Sequence, residues 1–144
     1  MADGDPRLSE IVPGQLYLGR VQDAFQFPGV VVCVLEQRGD WPPTVVHVPI
    51  LSHEDDGTVR ADPHQLDQVA ELARAAFEHD EPVAIVCGEG IERSGLGAAY
   101  VLHKLRHLSL PDAYLLVRER RPIVQERLDW ARGSLWDTPT YRWW

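Results

Sequence analysis

A chain of 144 residues, 44% hydrophobic and 25% charged, has the make-up of a globular protein with room for a buried core. Its net charge of −8 argues against a nucleic-acid or anionic-membrane binder, either of which needs a basic surface. Two distant cysteines, Cys33 and Cys87, do not make a disulfide scaffold, MADGDPRLSE carries no apolar leader, and the longest apolar run, Val30–Leu35, is too short to span a bilayer. These features lead to the expectation of a cytoplasmic protein forming one domain over 1–144, with its core at about 11–135.

In chain order, Pro13-Gly14 opens a short strand at Leu16–Leu18. Val21–Phe27 reads as one helical turn, stopped by Pro28-Gly29. The β-branched run after Gly29, VVVCVLE, predicts a buried strand, and TVVHVPI from Thr44 predicts the next. Ser52–Ala61 is polar and reads as a surface loop. Asp62-Pro63-His64-Gln65 has an N-cap acid, a proline at the first helical position and Gln at the third. Leu66, Val69, Leu72, Ala73, Ala76 and Phe77 then follow at helical spacing. Val83–Val86 is an apolar strand ending at Cys87. Ser94–His107 reads as a helix, and Ser109-Leu110-Pro111-Asp112 starts another that runs to about Arg120 before Arg121-Pro122 breaks it. Val124–Leu135 predicts a last helix, and the tail with Trp136, Trp143 and Trp144 has no clear pattern. Strands alternating with helices predict an α/β fold, a central, mostly parallel sheet flanked by helices.

The segment Ala84–Gly95, AIVCGEGIERSG, runs a buried strand into a thiol, a glycine-containing loop and a helix. Such a unit is an anion cradle, because loop N–H groups point inward and the helix adds its positive end. Gly88 and Gly90 permit a tight path, and Arg93 can grip two phosphate oxygens with its planar fork. A thiol at the bottom of that field is favoured as a thiolate nucleophile, and the Ser94 hydroxyl can donate to the sulfur. These are the parts of phosphoryl transfer through a cysteine.

CGEGIERS resembles the Cys-x5-Arg-Ser/Thr loop of the cysteine-dependent protein tyrosine phosphatases. IVPGQLYLG, VVHVPI with its acidic loop, and LRHLSLPDAYLLVRERRP resemble the flanking segments of the compact dual-specificity branch, so that the likeness covers about Ile11 to Trp130. The resemblance implies the protein tyrosine phosphatase-like (dual-specificity) fold and a two-step hydrolysis through a phosphocysteine. Cys87 would be the nucleophile, Arg93 the phosphate and transition-state ligand, and Ser94 the aid to thiolate departure. Backbone amides of Gly88, Glu89, Gly90, Ile91, Glu92 and Arg93 would hold the phosphoryl oxygens. Neither metal nor organic cofactor is implied. Asp56, in DGTVRADPHQL, is the implied general acid, with Asp55 and Glu126 as alternative acids and Gln125 as an alternative water-positioning residue. The implied partner is a phosphorylated protein or small phosphate ester, without nucleic acid or membrane, and the sequence leaves the oligomeric state open. One position departs: the family usually has histidine before the cysteine, where this chain has Val86, which implies a working but slower enzyme.

Blander readings hold at other positions. Cys33 reads as a small core residue, with a redox pairing to Cys87 as the alternative. Asp62 reads as a helix cap, and His47 and His53 receive no catalytic role. Glu89 and Glu92 read as solvated rim residues. Two rival functions remain at this level. One is a rhodanese-like sulfurtransferase; the other, prompted by Val86, is a catalytically weak phosphate-binding module.

Overall fold

The computed structural model describes residues 8–131. The chain forms β1 (Leu8–Val12), β2 (Leu16–Arg20), a 3-10 turn at Val21–Asp23, β3 (Val30–Cys33), β4 (Val45–His47), β5 (Leu51–His53) and β6 (Val59–Ala61). Helix α1 (Pro63–Glu78), β7 (Val83–Cys87), α2 (Arg93–Arg106), α3 (Leu110–Arg120) and α4 (Leu128–Ala131) complete it. The main sheet has the order β1-β2-β7-β3-β4. Strands β2, β7, β3 and β4 run parallel, and β1 pairs antiparallel with β2 at the edge. The expected α/β fold with a mostly parallel sheet is therefore present.

Strand β7 sits at the centre and is buried along its whole length. Its period-2 alternation divides two apolar layers. Val83, Ile85 and Cys87 join the larger cluster, which also takes buried side chains from α1, α2, α3 and α4. Ala84 and Val86 join the smaller one with Val21, Ala24, Val31 and Cys33, edged by Tyr17, Phe27 and Trp41. The four helices thus pack on one face, while the 3-10 turn and aromatic side chains close the other.

Helix α1 begins as its sequence predicts: the Asp62 carboxylate accepts from His64 N at 3.0 Å and Gln65 N at 3.3 Å. Ser109 caps α3 in the same way, accepting from Asp112 N at 3.1 Å. Three regions differ from expectation. Strand β1 is additional, its polar Ser9 and Glu10 masking the pairing of Leu8–Val12 with β2. Ser52–Ala61 is not a plain loop: β5 and β6 form an antiparallel hairpin in which Leu51 faces Ala61 and His53 faces Val59. Its turn needs Gly57, at φ 90°, in the left-handed region. The last helix starts at Leu128, because Val124–Arg127 instead lies along the loop after β7, with Gln125 N donating to Ile91 O at 3.2 Å. Its expected end at Leu135 and the tryptophan-rich tail lie outside the described residues. No described helix is long and apolar enough to cross a membrane.

Candidate active site

Cys87 closes β7 and α2 starts at Arg93, so residues 88–92 form the loop between them. Cys87 is 4% exposed, and its sulfur accepts the backbone N–H groups of Gly90, at 3.3 Å, and Ser94, at 3.4 Å. The Ser94 hydroxyl lies 3.1 Å away, accepting the thiol proton here and able to turn and donate once the sulfur is charged. Two N–H donors, one of them from the first turn of α2, are thus aimed at this sulfur.

Arg121 holds the loop from behind. This buried guanidinium donates from Nε to Gly90 O at 2.8 Å, from Nη2 to Glu89 O at 3.5 Å, and from Nη1 to Ser9 Oγ at 2.9 Å. With its carbonyl tied outward, Gly90 is left with its amide toward the sulfur. Burial pulls the Arg121 guanidinium down from its ordinary value, while the Coulombic pull of Cys87 acts the other way. Gly90 is required twice over. Its φ is 71°, and an added Cβ would lie 2.7 Å from Arg121 Nη2 and 2.8 Å from the Gly19 backbone. Gly88 meets no such limit: a Cβ there would meet nothing within 4 Å, and its φ is not positive. Of the two glycines expected to bend the loop, one does so.

Arg93 faces two partners. Its Nε donates to Glu36 Oε1 at 2.6 Å and its Nη2 to Oε2 at 3.0 Å, while its guanidinium stands 5.8 Å from the Trp130 ring centre. The Arg93 hydrogen bonds hold the Glu36 carboxyl down at about 2, and the pairing raises Arg93 in turn. Nη1 and the outer edge of Nη2 have no partner among the described residues, which leaves a two-pronged edge for an oxyanion. Glu92 is half-buried and accepts from Arg127 Nη1 at 3.3 Å; Arg127 lies over the Trp130 ring at 3.9 Å. Glu89 is exposed on the rim. Val124 packs against Gly95, where a Cβ would approach it to 2.8 Å. The neighbouring Gln125 and Glu126 side chains are exposed beside the loop.

The remaining expected residues lie elsewhere. Asp56 and Asp55 sit in the turn of the β5–β6 hairpin, exposed. Asp56 Oδ1 accepts from Thr58 N at 3.0 Å and Thr58 Oγ1 at 2.7 Å, and these bonds lower its carboxyl below the ordinary value. The groove around it is lined by Glu54, Thr58, Val59, Arg60 and Asp129, none of them from the phosphate loop. Cys33 is buried in the smaller apolar layer, on the opposite face of the sheet from Cys87, and burial pushes its thiol up to about 11. Val86 points into that same apolar layer, so its side chain is part of the packing there. His47 Nε2 lies 2.7 Å from Leu35 O and its ring meets Trp41 edge-on.

Sequence reasoning missed Glu36, Arg121, His53 and Arg20 as residues of this neighbourhood. Arg20 ends β2 in register with Cys87 and pairs with Asp23, Nε to Oδ2 at 2.7 Å. Each reaches the site through tertiary contact, and the Arg-Arg-Pro break was the one local sign of any of them.

No protein-family model and no curated protein matches the chain. Its fold is the compact fold of the dual-specificity phosphatases. Human DUSP28 superposes over 94% of this chain and 93% of its own, with a TM-score of 0.66 at 22% identity. Tk-PTP in its active form matches 88% of this chain and 92% of its own, with a TM-score of 0.69 at 22% identity. A mouse protein assigned as a dual specificity phosphatase, in complex with zinc tungstate, matches 90% of this chain and 85% of its own, with a TM-score of 0.70 at 19% identity.

Proposed function

We propose that this chain is a cysteine-dependent phosphatase that hydrolyses phosphate monoesters, phosphotyrosine in proteins foremost and phosphoserine or phosphothreonine as a second class. The observation that carries the reading is the Cys87 sulfur, held at the foot of a loop by the N–H groups of Gly90 and Ser94 and the Ser94 hydroxyl. The free edge of Arg93 supports it from the side.

In the first step the Cys87 thiolate attacks phosphorus, the S–P bond forms, and the P–O bond to the leaving group breaks as that oxygen takes a proton. Loop amides and Arg93 stabilise the charge that spreads over the equatorial oxygens. In the second step water attacks phosphorus and gives its proton to the acid that was deprotonated in the first step, the S–P bond breaks, and Ser94 donates to the departing sulfur. The acid role falls to Asp56. Held by Thr58 it is an acceptor only, so this role requires the hairpin to turn the carboxylate toward the loop. Gln125, whose backbone already borders Ile91, is the proposed positioner of the water. Glu89 and Glu92 on the loop disfavour multiply charged inositol headgroups relative to aryl phosphates. The phosphatase folds compared above support this reading over the sulfurtransferase one.

The test is hydrolysis of nitrophenyl phosphate and a phosphotyrosine peptide by the whole chain. Cys87→Ser should abolish turnover and keep tungstate binding, because amides and Arg93 survive. Arg93→Lys should lose about 10²–10³-fold in kcat/KM, since a point charge cannot reproduce a two-pronged contact. Appreciable turnover by Cys87→Ser would overturn the covalent mechanism.

A further inference from the structure

His53 ends β5, and its Nε2 lies 2.7 Å from Glu36 Oε2. That carboxylate is the one that clasps Arg93. Three elements therefore meet at a single group: the exit of β3, the end of β5 and the start of α2. We propose that His53 is a positioning residue of the phosphate site, fixing Glu36 and through it the guanidinium of Arg93; the inference rests on the reading of Arg93 as the oxyanion ligand.

The physical case begins with Glu36. Its side chain is 24% exposed, so water can compete for it. A two-pronged grip on a guanidinium requires one orientation of the carboxylate plane. Arg93 takes one bond at each oxygen, and His53 engages the remaining capacity of Oε2. Rotation of the carboxylate then breaks three bonds together. The guanidinium face against Trp130 limits motion in the other direction. What stays free is the outer edge, aimed by its neighbours before any anion arrives. Preset geometry of this kind lowers the ordering cost of binding.

Ser52, Glu54, Asp56 and Thr58 are occupied within the hairpin. Ser52 Oγ donates to Glu54 Oε2 at 2.6 Å, and Thr58 holds Asp56. His53 is the side chain that carries the hairpin's position to the phosphate arginine. The turn bearing Asp56 begins immediately after it. An anion that engages Arg93 and the placement of the acid-bearing turn thus share one intermediate, the Glu36 carboxylate.

The experiment compares the whole wild-type chain with His53→Ala, His53→Gln and Glu36→Gln. Tungstate and inorganic phosphate affinities are measured by calorimetry, kcat and KM on nitrophenyl phosphate, and melting temperature in parallel. His53→Ala should weaken tungstate binding and raise KM by about 3–10-fold, the scale of one lost hydrogen bond. Its melting temperature should stay near wild type. His53→Gln keeps an N–H donor and should recover most of the affinity. Glu36→Gln should lose at least as much as His53→Ala. Unchanged tungstate affinity in His53→Ala would overturn the proposal. So would a loss that Gln does not rescue and that follows the melting temperature, as a hairpin tether alone would give. If the wild type binds tungstate but hydrolyses nothing, the enzymatic reading fails while the binding series still decides this one. If it binds no oxyanion, both fall.

Discussion

The phosphate loop and the β5–β6 hairpin carry the two halves of the proposed first step, and they are held in opposite ways. The loop is fixed by groups far away in the chain: Arg121 grips Gly90 O across 31 residues, and Glu36 grips Arg93 across 57. Cys87, Ser94 and Arg121 are buried, and the Glu36–Arg93 pair is half-buried. The turn of the hairpin is exposed, its Glu54 and Asp56 carboxylates are satisfied by Ser52 and Thr58, two residues away, and His53 ties its first strand to Glu36. Long-range buried bonds rigidify a site, whereas short-range exposed ones let a segment move as a unit. A cradle for an anion benefits from the first kind of support. A group that must approach and withdraw benefits from the second.

The largest effect that sharpens this contrast concerns the acid. On phenyl phosphate, Asp56→Asn should slow turnover by about 10²-fold or more, and on nitrophenyl phosphate by much less, because nitrophenolate leaves without a proton. Asp55→Asn and Glu126→Gln should show neither feature. The same leaving-group dependence in Glu126→Gln would move the acid from the hairpin to the segment after α3.

A stability comparison comes next. Gly57 and Gly90 both have positive φ, but a Cβ meets nothing at Gly57 and meets Gly19 backbone at Gly90. Gly57→Ala should cost about 1 kcal/mol in urea unfolding, the left-handed strain alone. Gly90→Ala should cost more, about 2–4 kcal/mol, and also lower tungstate affinity. Equal costs would mean that the loop is no more constrained than the hairpin.

The smallest effect concerns pH. Glu36, ordinarily at 4.5, is held at about 2, chiefly by its hydrogen bonds to Arg93. A depressed carboxyl contributes its stability above about 4.5 and loses it as pH falls toward 2. Solvent screens this half-buried pair, so the contribution is modest. The melting temperatures of wild type and Glu36→Gln should differ above pH 4.5 and converge as pH is lowered toward 2. A gap that stays constant over that window would show that the ion pair is not what Gln removes.

The same contrast explains what could be read from the chain. Cys87, Arg93 and Ser94 lie within one strand–loop–helix unit, and Asp62 and Ser109 cap their own helices, so local spacing reveals them. The buried run Val83–Val86 marks its own strand. Glu36 carries no local sign of its task, and Arg121 only the Arg-Arg-Pro break, because their partners are set by sheet order and by the packing of the segment after α3. Strand β1 was obscured because Ser9 looks solvent-facing, although the hydroxyl is buried against Arg121. The hairpin reads as a loop in the sequence because its polar residues hide the pairing of Leu51 with Ala61. Gly88 shows the reverse error: a glycine in a motif is not always one that the backbone demands.

Ser9 ties the edge of the sheet to the loop's rear support, and this bears on how the protein can be handled. The hydroxyl is a neutral cushion for one arm of a buried cation. A form of the protein starting beyond Ser9, or carrying a fusion that peels β1 from β2, would leave Arg121 Nη1 facing the sheet edge without that oxygen. The disturbance would pass along a single guanidinium to Gly90 O, on the rear of the phosphate loop. An innocuous-looking change to the first strand would therefore be felt as a loss of phosphate chemistry.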